Sequence, residues 1–373
     1  MDRPVGPRPD ANEPLWPLLL RIPTLALRPS RVGLALITLV VIGLIGSLSQ
    51  IWRPAGAEPL LPLLFDRETD ALLLLAEGLW QGDANEVRNA ARALLGSGEF
   101  LFKEFPVSTI VLGPVMLAAW AIGGTAISRG TADEFALGVR TKWVDMLAFG
   151  LSHWRHAFGA MLAPIALIGV GYVCLAVSGW ALLTLPVVNV LGAALLGPAI
   201  LLSLGLAALG VGFALAKHLI IPAVACDGAD VIDAIQRAYA YTVSRPLKLA
   251  FYLVLGGLIG AAALAATALV VAFALSLVQT ASMAWIGPDH AAHGIVTQDA
   301  ETTGTWSAAQ AIATFWVNLL QLAVLALAVS IYHCGSTVVY LLVRQVVDGQ
   351  HHRELWTPGA VPGATPTGPA DAT

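Results

Sequence analysis

The sequence predicts an all-α polytopic membrane protein, a helical bundle of about six transmembrane helices with amphipathic interfacial elbows. Three observations predict this fold. Hydrophobic residues make up 57% of the 373 residues and charged residues only 12%, about half the share typical of soluble domains. The mean hydropathy is +0.76. Several apolar runs are long enough, at about 1.5 Å per helical residue, to cross a bilayer core of about 30 Å.

Six such runs are the candidate spans, at residues 32–51, 107–127, 158–183, 190–221, 249–278 and 308–343. The shortest break lies between the third and fourth spans, where Thr184, Leu185, Pro186 and Asn189 must form the turn. Pro186 suits a helix end because proline interrupts helical hydrogen bonding. Without that break the chain would have an odd number of spans, and its two ends would lie on opposite sides of the membrane.

The distribution of Lys and Arg favours six spans with both termini in the cytoplasm of a bacterial inner membrane. The loop at residues 279–307 contains no Lys or Arg, as expected for the outer side. The predicted organisation is an interfacial segment at 1–31, span 1 at 32–51, an outer helical loop at 52–106, a five-helix membrane domain at 107–349 and a disordered tail at 350–373. The basic residues assigned to the cytoplasm include Arg21, Arg28, Arg31, Arg129, Arg140, Lys142, Arg155, Lys217, Arg237, Arg245, Lys248, Arg344 and Arg353.

The first span could also be read as a signal peptide, because Arg31 precedes it and Ala55-Gly56-Ala57 follows it. The leader of some thirty residues and a run long enough to span favour an uncleaved anchor. Before the span, residues 15–22 mix Trp, Leu and Arg, which is typical either of a segment lying in the membrane interface or of a simple entry elbow.

The outer loop is the only sizeable soluble piece, and its apolar spacing predicts two short amphipathic helices. Leu72, Leu75 and Leu79 would form the face of the first helix. Val87, Ala91, Leu94 and Leu95 would form the face of the second. The carboxylates between them lack the spacing of a calcium loop, so they indicate a solvated surface.

Two stretches share a spacing of Ala-Asp and a later Arg, which indicates a parallel internal repeat. Ala132-Asp133 is followed by Arg140 seven residues later, and Ala229-Asp230 is followed by Arg237 at the same distance. Aspartate is favoured at helix amino termini, and an interfacial arginine can reach lipid phosphates. Convergent interface chemistry would produce the same pattern, so duplication and convergence both stay open.

The segment Asp233-Ala234-Ile235-Gln236-Arg237-Ala238-Tyr239-Ala240-Tyr241, with Ser244-Arg245-Pro246 after it, resembles the cytoplasmic elbow of an uncharacterised family of bacterial polytopic inner-membrane proteins. Tyr340-Leu341-Leu342-Val343-Arg344 and Ala126-Ile127-Ser128-Arg129 are similar to two further patches of that family. The patches bracket most of residues 107–349. The resemblance implies the multi-span architecture, and it implies no activity, because none is established for the family.

Ionisable groups inside spans are costly and are therefore the first candidates for function. His333 lies eleven residues before Arg344, and Lys217 with His218 could reach a similar depth in the fourth span. These three residues are the candidate intramembrane polar cluster, which could carry protons or ions because imidazole titrates near neutral pH. The competing interpretation is a histidine bonded inside the bundle and a lysine whose ammonium reaches the headgroups.

Arg237 and Arg245 are the candidate lipid-headgroup contacts, because both lie at the predicted cytoplasmic interface. Asp289, His290 and His293 place carboxylate and imidazole close together in the last outer loop, but three or four converging ligands are needed for a metal. No phosphate-binding loop, metalloprotease helix or nucleophile elbow is present in the sequence. We therefore expect no enzyme activity, no cofactor and no bound metal, and the net charge of −4 argues against nucleic acid.

Small residues recur at four-residue spacing in the fifth span, with Gly256 and Gly260 in one row and Gly257 and Ala261 in the next. Such rows let membrane helices approach closely. The leading hypothesis is a non-enzymatic membrane module that organises or assists a partner complex, in contact with the bilayer and with a membrane-protein partner or a second copy. The alternative is a small-solute or ion transporter that uses His333, Lys217 and a helix kinked at Pro198.

Overall fold

The computed structural model describes residues 15–52, 60–184, 186, 188–284 and 304–356. Regular structure within these ranges is entirely helical, which confirms the predicted all-α class. Two 3₁₀ turns, Trp16–Arg21 and Leu48–Trp52, and one π-helical turn, Asp133–Leu137, flank the α-helices. The α-helices of the described ranges are α1 (Ile22–Ala26), α2 (Pro29–Ser47), α3 (Leu60–Gln81), α4 (Ala84–Leu95), α5 (Ser97–Glu104), α6 (Pro106–Ala132), α7 (Trp143–Thr184), α8 (Val188–Asp227), α9 (Val231–Ser244), α10 (Pro246–Met283) and α11 (Thr305–Asp348).

Six helices, α2, α6, α7, α8, α10 and α11, are long and apolar enough to cross a membrane, so the predicted all-helical, six-span bundle is confirmed. The break between the third and fourth spans also exists, because α7 ends at Thr184 and α8 begins at Val188. The turn is tight: a Cβ on Gly192 would lie 2.7 Å from the carbonyl oxygen of Leu182. The chain is therefore a multi-pass membrane protein.

The helices extend well beyond the apolar runs from which the spans were predicted. The third begins at Trp143, fifteen residues before the predicted start, so the stretch Ser152–Arg155 is part of one continuous helix. The last runs from Thr305 to Asp348. Hydropathy marks the part of a helix that lies in lipid, whereas the helix itself continues wherever its backbone hydrogen bonds remain favourable.

The two halves of the predicted repeat differ in local structure. Asp230 caps α9, because its side chain accepts a hydrogen bond from the backbone N–H of Asp233 at 2.8 Å. Asp133 does not begin a helix, as the repeat would require. It lies in the π-helical turn that continues α6, and Gly138 ends that turn with a φ of 71°. A separate amphipathic helix therefore follows only the second Asp.

The chain divides into two compact units, and the division passes through α2 and α6. Unit 1 comprises the described residues of Met1–Leu36 and Gly124–Thr373, and unit 2 comprises those of Ile37–Gly123. The boundaries predicted from the sequence, after residue 51 and after residue 106, follow membrane topology rather than contacts, and they stay a prediction. The observed unit 2 includes parts of two spans, because the loop helices and these parts form one contact cluster.

In unit 2, α3 packs against α4 through small residues. Gly78 is buried, and a Cβ there would lie 2.9 Å from the Cβ of Glu86. This corrects the predicted face of α3: Leu72 and Leu79 are exposed, whereas Ala71 and Gly78 are buried. Close approach of two helix backbones selected the small residues over the large ones. The loop also contains three helices rather than the predicted two.

In unit 1, α7 packs against α8, α10 packs against α11, and α9 contacts both α7 and α8. One face of the segment Trp16–Ala26 packs into the bundle, whereas Trp16 and Leu20 are exposed. Leu19 and Ile22 are fully buried, and Ile22 lies against Gly256 of α10 and Gly335 of α11. The glycines leave space for the apolar side chains of this segment inside the bundle, and both interpretations of the segment stay predictions.

Candidate functional site

His333 lies deep within unit 1 and is only 1% exposed. It projects from α11 toward α6, where a Cβ on Gly124 would lie 2.5 Å from the imidazole Cε1. The same position lies 3.0 Å from Ile221 Cδ1 of α8. Gly124 thus provides the space that the imidazole fills, and the ring is enclosed by three spans.

Lys217 and His218 occupy different environments although they are adjacent in α8. The imidazole Nδ1 of His218 lies 3.1 Å from the hydroxyl of Tyr332, the residue before His333. The Tyr332 ring also lies edge-on to the His333 ring, with centroids 5.1 Å apart. Lys217, one position earlier, is exposed. The structure therefore links two histidines through Tyr332 and does not bring Lys217 to them.

A second group of polar residues lies where α6, α8 and α11 end, and we call this region the charged end. Its centre is Asp227, the last residue of α8. Asp227 accepts hydrogen bonds from the Arg344 guanidinium, from the Tyr340 hydroxyl and, at 2.9 Å, from Arg237 Nη1. Arg344 is only 2% exposed, so this ion pair is buried and its carboxylate is saturated by three donors.

Arg237, one of the two predicted headgroup contacts, is part of this network. Besides its bond to Asp227, its Nε donates to Asp233 at 3.0 Å within α9. Burial alone would lower the pKa of Arg237, but the hydrogen bond to Asp233 and the charge of Asp227 together raise it. Arg245, the other predicted contact, is exposed at the start of α10. The structure therefore commits Arg237 to internal ion pairs and leaves Arg245 accessible.

Tyr241 connects α9 to the end of α11. Its hydroxyl donates to the carboxylate of Asp348, and its ring lies 5.7 Å from that of Tyr340. Burial and the hydrogen bond to Asp348 raise the pKa of Tyr241, so its phenol stays protonated at neutral pH. This contact fixes the amphipathic helix against the last span.

A second carboxylate at the charged end, Glu134, holds the amino-terminal elbow. Arg28 Nε and Nη2 donate to Glu134 Oε1 at 3.0 and 2.6 Å, and Arg31 Nη2 donates to Oε2 at 2.8 Å. Arg31 also donates to the carbonyl oxygens of Leu25 and Gly130, both at 2.6 Å. Because Arg31 is 3% exposed, this guanidinium acts as a buried connector between α1, α2 and α6.

A third carboxylate, Asp133, pairs with Arg129 at 3.1 Å and accepts the Thr141 hydroxyl at 2.8 Å. Arg129 Nη1 donates to the carbonyl oxygen of Trp356 at 2.8 Å and to that of Ala225 at 3.2 Å. Its guanidinium also lies 5.0 Å from the ring centre of Phe149. Arg129 therefore connects α6, α7 and α8 with the segment that follows α11.

That segment, residues 349–356, folds back over the charged end, and we call it the C-terminal clasp. The backbone N–H of Trp356 donates to Cys226 O at 3.0 Å, and Arg344 Nη2 donates to the carbonyl oxygen of Glu354. The indole lies on Gly228, where a Cβ would be 2.6 Å from the ring. Gly228 has a φ of 63°, a backbone conformation that glycine adopts without strain.

His352 lies in the clasp and bonds to Gln345, with 2.8 Å between Nδ1 and Oε1. Its ring is 5.7 Å from that of Phe135. Burial lowers the pKa of His352 to about 4, and the nearby charges of His351, Arg353, Arg21 and Arg344 act in the same direction. The imidazole is therefore neutral at physiological pH.

These contacts define what the charged end can do. Each of its three central carboxylates already accepts two or more bonds from arginine, tyrosine or threonine, so none is available as a general base without breaking an ion pair. Within the described ranges, no three His, Cys, Asp or Glu side chains lie close enough to hold a metal ion. The predicted loop residues Asp289, His290 and His293 lie outside the described residues, as does the tail from 357 onward. The charged end is thus arranged to hold helices together.

This network was not predicted from the sequence, although all of its arginines were assigned to the cytoplasmic side there. Arg344, Arg129 and Arg31 were used to assign the cytoplasmic side, and their acidic partners Asp227, Asp133 and Glu134 were not paired with them. The available signal was that these acids stand at the ends of apolar runs, where an unpaired carboxylate would be costly. Cys226 and Cys334 are buried, as small apolar residues would be, whereas Cys174 is exposed.

No protein-family model, curated protein or solved structure matches this chain.

Proposed function

We propose that this protein is a non-enzymatic membrane module that holds a partner membrane protein against its spans. In this proposal the module lies in a bacterial inner membrane with both termini in the cytoplasm. The absence of Lys and Arg from residues 279–307 supports that orientation, together with the concentration of arginine at the charged end. The resemblance of the α9 elbow to a family of bacterial inner-membrane proteins supports the same location.

The observation that carries the proposal is a contrast between two rows of small residues on α10. Gly256 and Gly260 form an occupied row: Ile22 lies 3.4 Å from a Cβ built on Gly256, and Ile331 Cγ2 lies 2.5 Å from one built on Gly260. The neighbouring row, Gly257, Ala261 and Ala265, is exposed, and a Cβ on Gly257 meets nothing within 4 Å.

The exposed row has the pattern by which membrane helices associate. In lipid, apolar side chains gain little by leaving the acyl chains, so small residues at four-residue spacing promote association by allowing close backbone contact. The same helix already uses one such row for α11 and the elbow. We infer that the second row receives a helix from a partner membrane protein or from another copy of this chain.

The charged end supports this role because it fixes the helices at one end. Its ion pairs connect α2, α6, α8, α9 and α11, and a hydrogen bond from Arg31 to the Leu25 carbonyl adds α1. A module that presents a helix face to a partner benefits from such rigidity, since less conformational entropy is lost on binding. Its saturated carboxylates are the reason for proposing no catalysis.

The test is a cross-link from the exposed row in native membranes. A photo-reactive amino acid at Ala261 in the full-length chain should give a protein adduct of discrete mass. The double substitution Gly257→Leu with Ala265→Leu should reduce that adduct about tenfold, as loss of about 1.4 kcal/mol of association free energy would. The matched control is Ala166→Leu, an exposed alanine on α7, which should leave the adduct unchanged.

An Ala261 probe that labels lipid alone, or an adduct that survives the double substitution at the wild-type level, would count against the proposal. The mass of the adduct distinguishes a second copy from a different protein. Thermal stability of both variants in mild detergent should be no lower than that of the wild type, because the substituted positions are exposed and the loss of Gly257 favours the helix.

The transporter hypothesis stays a prediction with less support. Its three residues are not assembled, since Lys217 is exposed and His333 is enclosed. His333→Gln removes the titrating group and keeps a hydrogen-bonding side chain. We expect this variant to leave proteoliposome permeability unchanged, and a pH-dependent flux that disappears in it would favour transport.

A further inference from the structure

Unit 2 contains an apolar cavity of about 290 Å³ that the proposed function does not use. Its wall is formed by Ile42 of α2, Leu60 and Leu64 of α3, Leu101 of α5 and the stretch of α6 from Ser108 to Trp120. The volume is about twice the ~150 Å³ of an engineered apolar cavity that stays dry and binds benzene. A cavity of this size is large enough for a hydrocarbon ligand.

The two hydroxyl side chains of the wall are already engaged with the protein. Ser108 Oγ accepts a hydrogen bond from the Trp52 indole N–H at 3.0 Å, and Thr109 Oγ1 donates to the carbonyl oxygen of Leu101 at 3.0 Å. The other side chains of the wall are aliphatic, aromatic or the thioether of Met116, and Gly113 contributes no side chain. A mainly apolar wall with its hydroxyls already hydrogen-bonded does not favour a polar or charged ligand, and water would gain few hydrogen bonds there.

The shape and position of the cavity indicate which hydrocarbon it takes. Two of its four walls belong to helices that span the membrane, α2 and α6. The thirteen-residue stretch Ser108–Trp120 extends about 18 Å along α6 at the helical rise of about 1.5 Å per residue. An elongated apolar space beside lipid matches a single extended chain better than a compact solute.

We propose that this cavity binds one hydrocarbon chain of a bilayer lipid. The chain would lie along α6 between α2, α3 and α5, and the burial of its methylene groups would stabilise the contact of the outer loop helices with the spans. The source is the surrounding membrane, because the cavity wall includes two spans.

Gly113 provides the variant that tests this site. A Cβ at Gly113 would meet nothing within 4 Å, so there is open space at the point where a larger side chain would enter the cavity. Gly113→Phe should therefore fill the space and displace the lipid chain. Gly43→Phe is the matched control: Gly43 also lies on a span of unit 2 with nothing within 4 Å of its Cβ, but it does not line the cavity.

The full-length protein is placed in nanodiscs that contain a phospholipid with a diazirine near the end of one acyl chain, and labelled peptides are mapped by mass spectrometry after illumination. We expect wild type and Gly43→Phe to carry label on residues 113–120, and Gly113→Phe to lose it about tenfold. Leu117→Trp, which fills the cavity from another position, should do the same, so failure of one variant to fold leaves the test intact.

Label on 113–120 that is no stronger than on exposed residues of α10, or that persists in both filled variants, would overturn the proposal. A parallel nanodisc preparation receives a photo-reactive free fatty acid in place of the phospholipid. Labelling of the cavity by the fatty acid alone would also overturn it, because the ligand would then not be a bilayer lipid.

Discussion

The two ends of α8 show how differently this protein is held together along its length. Every residue from Leu219 to Cys226 is buried, whereas only 6% of the residues in the most apolar 18-residue stretch of the same helix are buried. The same low share holds for α10. The charged end is therefore stabilised by protein contacts, and the opposite stretches of these helices are covered by lipid or by a partner. Polar contacts specify one geometry, while apolar helix faces in lipid tolerate exchange of neighbours.

The largest expected effect comes from removing Asp227, the centre of the charged end. Asp227→Ala leaves Arg344, which is 2% exposed, without its carboxylate partner. Because an uncompensated buried charge is costly, we expect a loss of about 3 to 5 kcal/mol in the free energy of unfolding. The measurement is denaturant unfolding in mild detergent followed by tryptophan fluorescence.

Asp70→Ala, at an exposed position of α3, is the control and should change stability by no more than about 0.5 kcal/mol. Equal effects of the two substitutions would contradict the distinction between a specified charged end and the rest of the molecule.

A smaller effect is expected where the C-terminal clasp lies on the bundle. Gly228→Ala introduces a Cβ 2.6 Å from the Trp356 ring at a φ of 63°, and we expect it to cost about 2 to 3 kcal/mol. Gly138→Ala, at a φ of 71° with nothing within 4 Å, reports the backbone strain alone and should cost about 1 kcal/mol.

The difference between these two glycine variants therefore measures the clasp contact. In a Trp356→Ala background that difference should vanish, since the indole is no longer there to collide with the new methyl group. Persistence of the difference would show that the clasp does not pack on Gly228 in the membrane-embedded protein.

The two rows on α10 should respond oppositely to the same substitution. Gly260→Ala brings a Cβ within 2.5 Å of Ile331 and should cost about 1 kcal/mol, because the gain in helix propensity only partly offsets the overpacking. Gly257→Ala meets nothing and should raise stability by about 0.5 to 1 kcal/mol. Both values come from thermal unfolding in the same detergent, and destabilisation by Gly257→Ala would mean that this row is packed.

The smallest expected effect is a pH dependence from His352. Its pKa is lowered to about 4 in the folded protein, against 6.5 in the unfolded chain. Between these values the unfolded chain binds a proton that the folded chain does not, so the stability contribution is complete above about pH 6.5 and falls as the pH approaches 4. After allowance for partial exposure we expect a change of about 1 kcal/mol.

The measurement compares unfolding at pH 7 and pH 5 for wild type and His352→Gln, which can keep a bond to Gln345 but does not titrate. The variant should show the weaker pH dependence. An identical dependence in both proteins would place the pH-sensitive group elsewhere.

Much of the architecture could be predicted from the sequence, because it follows from local chemistry. Six apolar runs imply six spanning helices, since a helix satisfies its backbone hydrogen bonds within one segment and lipid offers no alternative partner. Pro186 and its neighbours correctly indicated the break between α7 and α8. The buried row at Gly256 and Gly260 was also visible as a spacing of small residues.

Only the tertiary structure decided the pairings between residues that are far apart in the chain. Asp227 and Arg344 are separated by 117 positions, and Arg129 and Trp356 by 227. Periodicity and hydropathy describe one helix at a time, so they did not pair Arg237 with Asp227 and Asp233. They also grouped Lys217 with His333, although the two lie in different environments. The sequence by itself determined which segments are helices in the membrane. Which charge neutralises which, and which helix faces remain open, depends on the three-dimensional packing of those helices.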